Sequence, residues 1–220
     1  MSILVHSVSG APRPWRVLLA LTFKKLDFDI KYMRADRGEH KAEPYLTLNP
    51  RGTVPTIEAD GIVLRDSIAA LAWLDRAYSD YPLFGKSPRE AAIVWQITLE
   101  SCDYLRSAGD LLLRPIFFQG ARSATSDLRD AAVLFQKELA RLETLLNLNP
   151  FLAGASPSAA DAVSFPEVRI LQRCVETHGS LMSSLGFHQP LSDFPKVNAW
   201  KDRIQLLEGY EKTQPPHWSA

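Results

Sequence analysis

The run Asn49-Pro50-Arg51-Gly52-Thr53-Val54-Pro55-Thr56-Ile57-Glu58-Ala59-Asp60-Gly61-Ile62-Val63-Leu64-Arg65-Asp66-Ser67 leaves the backbone few choices. Pro50 and Gly52 make its start a turn, Val54 to Glu58 reads as a short strand, and Asp60-Gly61 is a two-residue hairpin signal with Ile62 to Leu64 as the return strand. A helix follows at once, because Ile68-Ala69-Ala70-Leu71-Ala72-Trp73-Leu74 carries the apolar residues of a helix packed on a sheet. The first turn of such a helix has unpaired N–H groups and the positive end of the dipole, which suits a small carboxylate. Ser67 adds a hydroxyl and Asp66 can accept from an ammonium, so together they suit the zwitterionic end of an amino acid. Val54-Pro55 adds a second feature, since a proline entering a strand removes a ladder donor and is a natural place for a cis bond. A cis bond there turns the N–H and C=O of Val54 outward as an edge on which an extended peptide can pair. The plainer reading makes Val54-Pro55 an edge-strand start and Asp66-Ser67 a helix cap.

Composition narrows the classes. The 220 residues are 46% hydrophobic, enough for one large or two small domains, and 25 Lys and Arg balance 25 Asp and Glu. A net charge of zero gives no electrostatic reason to expect nucleic acid or an anionic membrane as partner. No apolar run is long enough to span a bilayer and Ile3-Leu4-Val5 is too short for a signal-peptide core, so a cytoplasmic protein is expected. Cys102 and Cys174 form no C-x-x-C and lie near no His at metal-ligand spacing, which predicts buried thiols and no metal site. Phosphate-loop, dinucleotide, zinc-protease and nucleophile-elbow motifs are all missing from the sequence.

Taken in order, Ser2 to Ser7 reads as a buried strand, Trp15 to Lys25 as a helix that Pro14 can enter, and Phe28 to Met33 as a second strand parallel to the first. Glu39 to Leu46 is a short irregular helix. With the hairpin and the Asp66-to-Tyr78 helix this gives βαβ-α-ββα over residues 1–78. Residues 79–88 form a packed linker, and from 89 to 220 only helices are expected: Arg89 to Leu113 ended by Arg114-Pro115, Ser126 to Leu146 with Ser126 as cap, Ala159 to Glu176, and Phe194 to Leu207 capped by Asp193. Ser158 and Asp161 stand at capping-box spacing before the third of these helices. The tail from Glu208 to Ala220 is expected to wrap the surface. The fold class is therefore α/β plus all-α, a thioredoxin-like domain followed by a helical one.

This layout resembles the cytosolic glutathione S-transferases, nearest to the rho class with zeta and bacterial relatives behind it. The resemblance rests on the Asn49-to-Ser67 block, on Trp15-Arg16-Val17, Glu39-His40-Lys41 and Ser158-Ala159-Ala160-Asp161, and on Pro215-Pro216-His217-Trp218. It implies a co-substrate, glutathione, whose cysteinyl unit pairs with the Thr53-Val54-Pro55 edge. Asp66 and Ser67 would then hold the γ-glutamyl end, and His40 and Lys41 would lie near the glycyl carboxylate. It also implies a homodimer and a second, electrophilic substrate lying between the domains, with Tyr104, Phe117, Phe118 and Trp218 as candidate contacts.

The activating group is the open point. A thiol with a pKa near 8.5 must be held as thiolate to attack, and a hydroxyl or cation near sulfur does this. The family's serine falls at Ala11, which has no hydroxyl to donate. Ser9, Arg13 and the positive end of the helix near Pro14 are the possible replacements, and Pro12 and Pro14 remove two N–H donors from the loop. The leading expectation is a transferase that joins glutathione to small apolar electrophiles. The rivals are a non-catalytic carrier or interaction protein, and a glutathione-dependent isomerase or reductive-cleavage enzyme suggested by Trp15-Arg16.

Overall fold

A computed structural model describes residues 2–188 and 191–218. Met1, Gln189, Pro190, Ser219 and Ala220, which include the outer limits of the two expected domains, lie outside the described residues. The chain divides into two compact units, Met1–Lys86 with Leu206–Ala220, and Ser87–Gln205.

In the first unit β1 (Leu4–Ser7) leads through α1 (Pro12–Phe23) to β2 (Asp29–Tyr32), which pairs parallel with β1. Two short 3₁₀ turns, Ala35–Arg37 and Glu39–Lys41, and α2 (Glu43–Leu48) precede the hairpin of β3 (Thr56–Ala59) and β4 (Ile62–Leu64), and α3 (Ser67–Ala77) follows. The sheet order is β2-β1-β3-β4, with β3 antiparallel to both neighbours. This is the thioredoxin-like arrangement. Asp60 and Gly61 both take positive φ, the condition for a two-residue turn whose twist matches its strands. Ile57, Val5, Leu18, Leu71 and Leu74 are almost fully buried, so the sheet packs its helices over an aliphatic core.

Residues up to Lys86 belong to this unit, and part of the stretch after α3 packs on it while Tyr81 is exposed. Leu83 and Phe84 are buried, Asp75 of α3 accepts from the N–H of Leu83, and the buried Lys24 ammonium donates to the carbonyls of Asp80 and Tyr81. Burial lowers the Lys24 pKa, opposed by Asp75 and Asp80.

The tail also belongs to this unit, whereas the sequence pattern grouped it with the helices. The indole N–H of Trp15 donates to Thr213 Oγ1 at 3.2 Å, and the Lys212 ammonium bonds the carbonyl of Phe28 and sits 4.3 Å from its ring centre. Trp218 meets Trp15 edge-on at 5.3 Å. Aromatic and cationic side chains thus pin a segment that lacks the periodicity of a long helix.

Among the described residues the long elements of the second unit are all helices, beside one isolated bridge between Phe151 and Gly154, and several boundaries depart from expectation. α4 (Pro88–Glu100) passes through a π turn, Ser101–Leu105, into α5 (Arg106–Phe118). Helix therefore continues past Pro115. The proline leaves only the carbonyl of Leu111 without its intrahelical donor, and Leu111 is 56% exposed, so water can satisfy it. α6 (Ser126–Leu145) is capped by Thr125, whose hydroxyl accepts from the N–H of Leu128, one residue before the expected cap. α7 (Ala159–Thr177) is followed by α8 (Gly179–Ser184), which was not foreseen, and by α9 (Pro195–Gln205). Asp193 does not cap α9. Glu143 of α6 does, accepting from the N–H groups of Lys196 and Val197 at 2.9 and 2.8 Å.

The start of α7 is built on Asp161. One oxygen accepts from the N–H and hydroxyl of Ser158, the other from the N–H of Leu152 and the indole of Trp200, all between 2.7 and 2.9 Å. Burial raises its pKa while these four donors oppose the rise. Asp161→Ala leaves all four donors unmet in an apolar interior, a loss of about 3 kcal/mol or more. The melting temperature in a calorimetric scan should fall by about 6–12 °C.

Cys174 is fully buried and burial pushes its thiol up to about 12, whereas Cys102 is half-buried. Because the thiolate is the reactive form, a thiol reagent at neutral pH should leave Cys174 unmodified until denaturant unfolds the chain. Mass spectrometry of the labelled peptides checks this.

Candidate functional site

Strand register places the sequence-predicted residues at one end of the sheet. β1 pairs with β3 as Leu4↔Glu58 and His6↔Thr56, so continuing the register sets Val54 opposite Val8, where β1 runs out into the Ser9-to-Arg13 loop. β3 pairs with β4 as Ile57↔Leu64, and the same continuation sets Val54 opposite Ser67. β2, parallel to β1, delivers the chain to the turns carrying His40 and Lys41 from this end too. An open sheet gathers its ligand residues where strands run out into loops.

The edge at Val54 is held open by its neighbour. The Thr53 carbonyl accepts from the Tyr45 hydroxyl at 2.6 Å and from Asn49 Nδ2 at 2.7 Å, and the Tyr45 hydroxyl also bonds Thr56 Oγ1 at 2.7 Å. In a trans peptide the N–H opposes the C=O, so a Thr53 carbonyl turned inward sends the Val54 N–H outward. Among the described residues neither peptide group of Val54 has a hydrogen-bond partner. Val54-Pro55 is cis, and β3 begins at Thr56 rather than Val54.

Asn49 is fully buried, and its side-chain oxygen accepts from the N–H of Arg51, closing the turn on itself. Gly52, at φ +56°, lets that turn lie against the next segment. A β-carbon there would stand 2.8 Å from the His40 carbonyl and 2.8 Å from Lys41 Cδ. Lys41 Nζ donates to the Arg51 carbonyl at 3.2 Å. His40 and Lys41 are thereby brought against the turn that precedes Val54, and His40 Nδ1 is buried with no partner among the described residues.

At the start of α3, Asp66 is both cap and candidate ligand. Its Oδ1 accepts from the N–H groups of Ile68 and Ala69, each at 2.9 Å, and the Ala70 N–H bonds the Asp66 carbonyl. Two of the amides expected to be open are therefore already used. What remains for a ligand is the N–H and hydroxyl of Ser67 and the second Asp66 oxygen, none of which has a partner among the described residues. That leaves two donors for a carboxylate beside an acceptor for an ammonium.

The third cluster is the loop before α1. Ala11 N–H bonds the Val8 carbonyl, closing a turn in which Gly10 takes φ +78°. Ala11 is the N-cap of α1 and supplies no side-chain bond. Pro12 and Pro14 have no N–H and the Trp15 N–H is used by the Ala11 carbonyl, so the Arg13 N–H is the remaining open donor of the first turn. The Arg13 side chain is exposed and unpaired among the described residues. Ser9 is engaged, with Oγ 2.6 Å from His217 Nδ1.

Tyr45, Asn49 and Thr56 escaped the sequence reading as site-shaping residues, as did His217. For Asn49 the signal was present, since an Asn two residues before a turn amide is placed to accept from it. In the helical unit Tyr104, Leu111 and Phe118, seven residues apart, are 62%, 56% and 82% exposed along one face, while Phe117 packs against His178 at 5.5 Å. Among the described residues no group of three His, Cys, Asp or Glu side chains could hold a metal, and no helix is long and apolar enough to cross a membrane.

Comparison with known proteins gives the family. Residues 11–77 match the N-terminal domain model of glutathione S-transferases and residues 111–208 the C-terminal domain model. Glutathione S-transferase A of Pleuronectes platessa is 28% identical over 203 residues, 87% of each chain, and glutathione S-transferase APIC of Nicotiana tabacum is 28% identical over 97% of this chain and 100% of its own. The maleylacetoacetate isomerase of Dictyostelium discoideum is 36% identical over 85 residues, 38% of this chain and 39% of its own. The crystal structure of a glutathione S-transferase from the Antarctic clam Laternula elliptica superposes with a TM-score of 0.82 at 26% identity, covering 100% of this chain and 94% of the other. With both domain models matched in order on a thioredoxin-like unit and a helical one, the chain belongs to the cytosolic glutathione S-transferase superfamily.

Proposed function

We propose that the protein is a glutathione transferase that binds reduced glutathione along the open edge at Val54 and directs its thiolate at small apolar electrophiles. The observation that carries this reading is the pairing of an unpartnered Val54 peptide with the unpartnered Ser67 N–H and hydroxyl at the same end of the hairpin. An extended tripeptide needs both, a backbone edge for its middle residue and an amino-acid seat for its head. In this reading Ser67 holds the γ-glutamyl carboxylate, the free Asp66 oxygen accepts from the ammonium, and His40 and Lys41 offer positive charge and N–H donors to the glycyl carboxylate. The sulfur then faces the loop before α1. Ala11 contributes nothing there, so stabilisation falls to the Arg13 N–H and guanidinium and to Ser9.

We further propose a cytoplasmic homodimer. Glutathione-dependent isomerisation is the second reading, favoured by the stretch shared with the Dictyostelium maleylacetoacetate isomerase.

Calorimetric titration with reduced glutathione tests the proposal. Uptake at micromolar to millimolar concentration is expected, and no uptake by folded protein sinks it. Asp66→Asn keeps the cap, because Asn and Asp cap equally well, but removes the charge. Affinity for glutathione should fall about tenfold while thermal stability stays within about 1 kcal/mol. Ser67→Ala should weaken binding by a similar factor, from the lost charge-assisted bond. Turnover of chlorinated aromatics and epoxides against maleyl compounds separates the two reactions.

A further inference from the structure

Resting on the reading that glutathione sulfur faces the loop before α1, we propose that His217 is the proton acceptor for the thiol, acting through the Ser9 hydroxyl, and so restores the activation that Ala11 cannot supply. His217 is then a positioning residue that works through Ser9.

The geometry begins with the distance. Ser9 Oγ and His217 Nδ1 are 2.6 Å apart, short for a hydrogen bond between a hydroxyl and a ring nitrogen, although 208 residues separate them. The contact is built rather than incidental. Gly10 lets the ring lie flat on the loop, since a β-carbon there would be 3.0 Å from His217 Cε1, and the tail is anchored by Thr213 to Trp15 and by Trp218 against the same indole. Ser9, Gly10 and Trp218 lie against the ring. The charged side chains on the surrounding elements are Arg13 and Arg16 of α1 and Glu211 and Lys212 of the tail, with Lys212 turned to Phe28.

A neutral imidazole with its proton on Nε2 presents a bare Nδ1, which accepts the Ser9 proton. The hydroxyl oxygen is then an acceptor toward the site. When the thiol of glutathione arrives, its proton passes to Ser9 Oγ as the Ser9 proton passes to Nδ1. One S–H and one O–H bond break, one O–H and one N–H bond form, and the products are a thiolate and an imidazolium. The new Ser9 O–H points at sulfur, so the same hydroxyl that carried the proton now donates to the thiolate, and the imidazolium behind it donates to Oγ. Charge is conserved.

The test is the ultraviolet thiolate absorbance of enzyme-bound glutathione, titrated from about pH 5 to about pH 9 for the wild type, His217→Asn, Ser9→Ala, the double variant and Lys212→Ala. Asn keeps a polar group near Nδ1 but cannot take the proton. His217→Asn and Ser9→Ala should each raise the apparent thiol pKa by one unit or more, a tenfold loss of thiolate at neutral pH, with glutathione affinity held within about twofold. The double variant should be no worse than either single one, because the two residues act as a unit. Lys212→Ala loosens the tail elsewhere and should titrate like the wild type. A wild-type titration in Ser9→Ala or His217→Asn overturns the relay, as does a shift in Lys212→Ala equal to that of His217→Asn, which assigns the effect to tail packing. Those results leave glutathione binding intact, whereas absence of uptake by the wild type overturns the binding reading and the relay together.

Discussion

Everything at the open end of the sheet depends on which way one carbonyl points. Thr53 C=O is drawn inward by Tyr45 and Asn49, two buried donors that belong to α2 and to the turn behind it. Because the peptide is planar, that choice commits the Val54 N–H to the outside. Had the carbonyl faced solvent, the buried Asn49 amide would lose its short acceptor at a cost of about 1–3 kcal/mol, and the Tyr45 hydroxyl would keep only Thr56 Oγ1. The proposed ligand edge is therefore maintained by the same bonds that stabilise the unit.

A similar economy recurs at the helix ends. Asp66 spends one carboxylate oxygen on its own helix and leaves the other without a partner among the described residues, where the proposed glutathione ammonium would bind. In the helical unit Asp161 and Glu143 are wholly structural. Each is an acidic side chain that receives amide donors at the start of a helix, where the dipole favours negative charge. The helical unit thus closes the starts of α7 and α9 with its own acids, while the starts of α1 and α3 are left partly unmet where glutathione is proposed to lie.

What was legible in the sequence were features written over short distances. Hairpin, α3 and the Ser158-Asp161 box announce themselves within a few residues, since turn chemistry and capping depend on immediate neighbours. Ser67, Val54, Asp66, His40 and Lys41 could be named as candidates because they sit in or beside that compact block. What sequence could not show were partners brought together by the fold. Glu143 reaches α9 across 53 positions, where the local candidate Asp193 stood closer in the chain. α5 runs through Pro115 because exposure at Leu111 makes the missing bond tolerable, a fact about solvent that no local rule encodes. The Ser9 and His217 contact is the extreme case, for nothing in either neighbourhood names the other.

The return of the tail makes the first unit discontinuous, with residues 87–205 inserted between its two parts. A ribosome releases the sheet and its helices early, but Thr213 and Trp218 emerge only after the helical insert. The helical insert can mature while its host still lacks the strip that covers Trp15. The unit whose sheet precedes the insert is consequently completed only after it, and a chain stalled before Thr213 would display an uncovered indole instead of a closed surface.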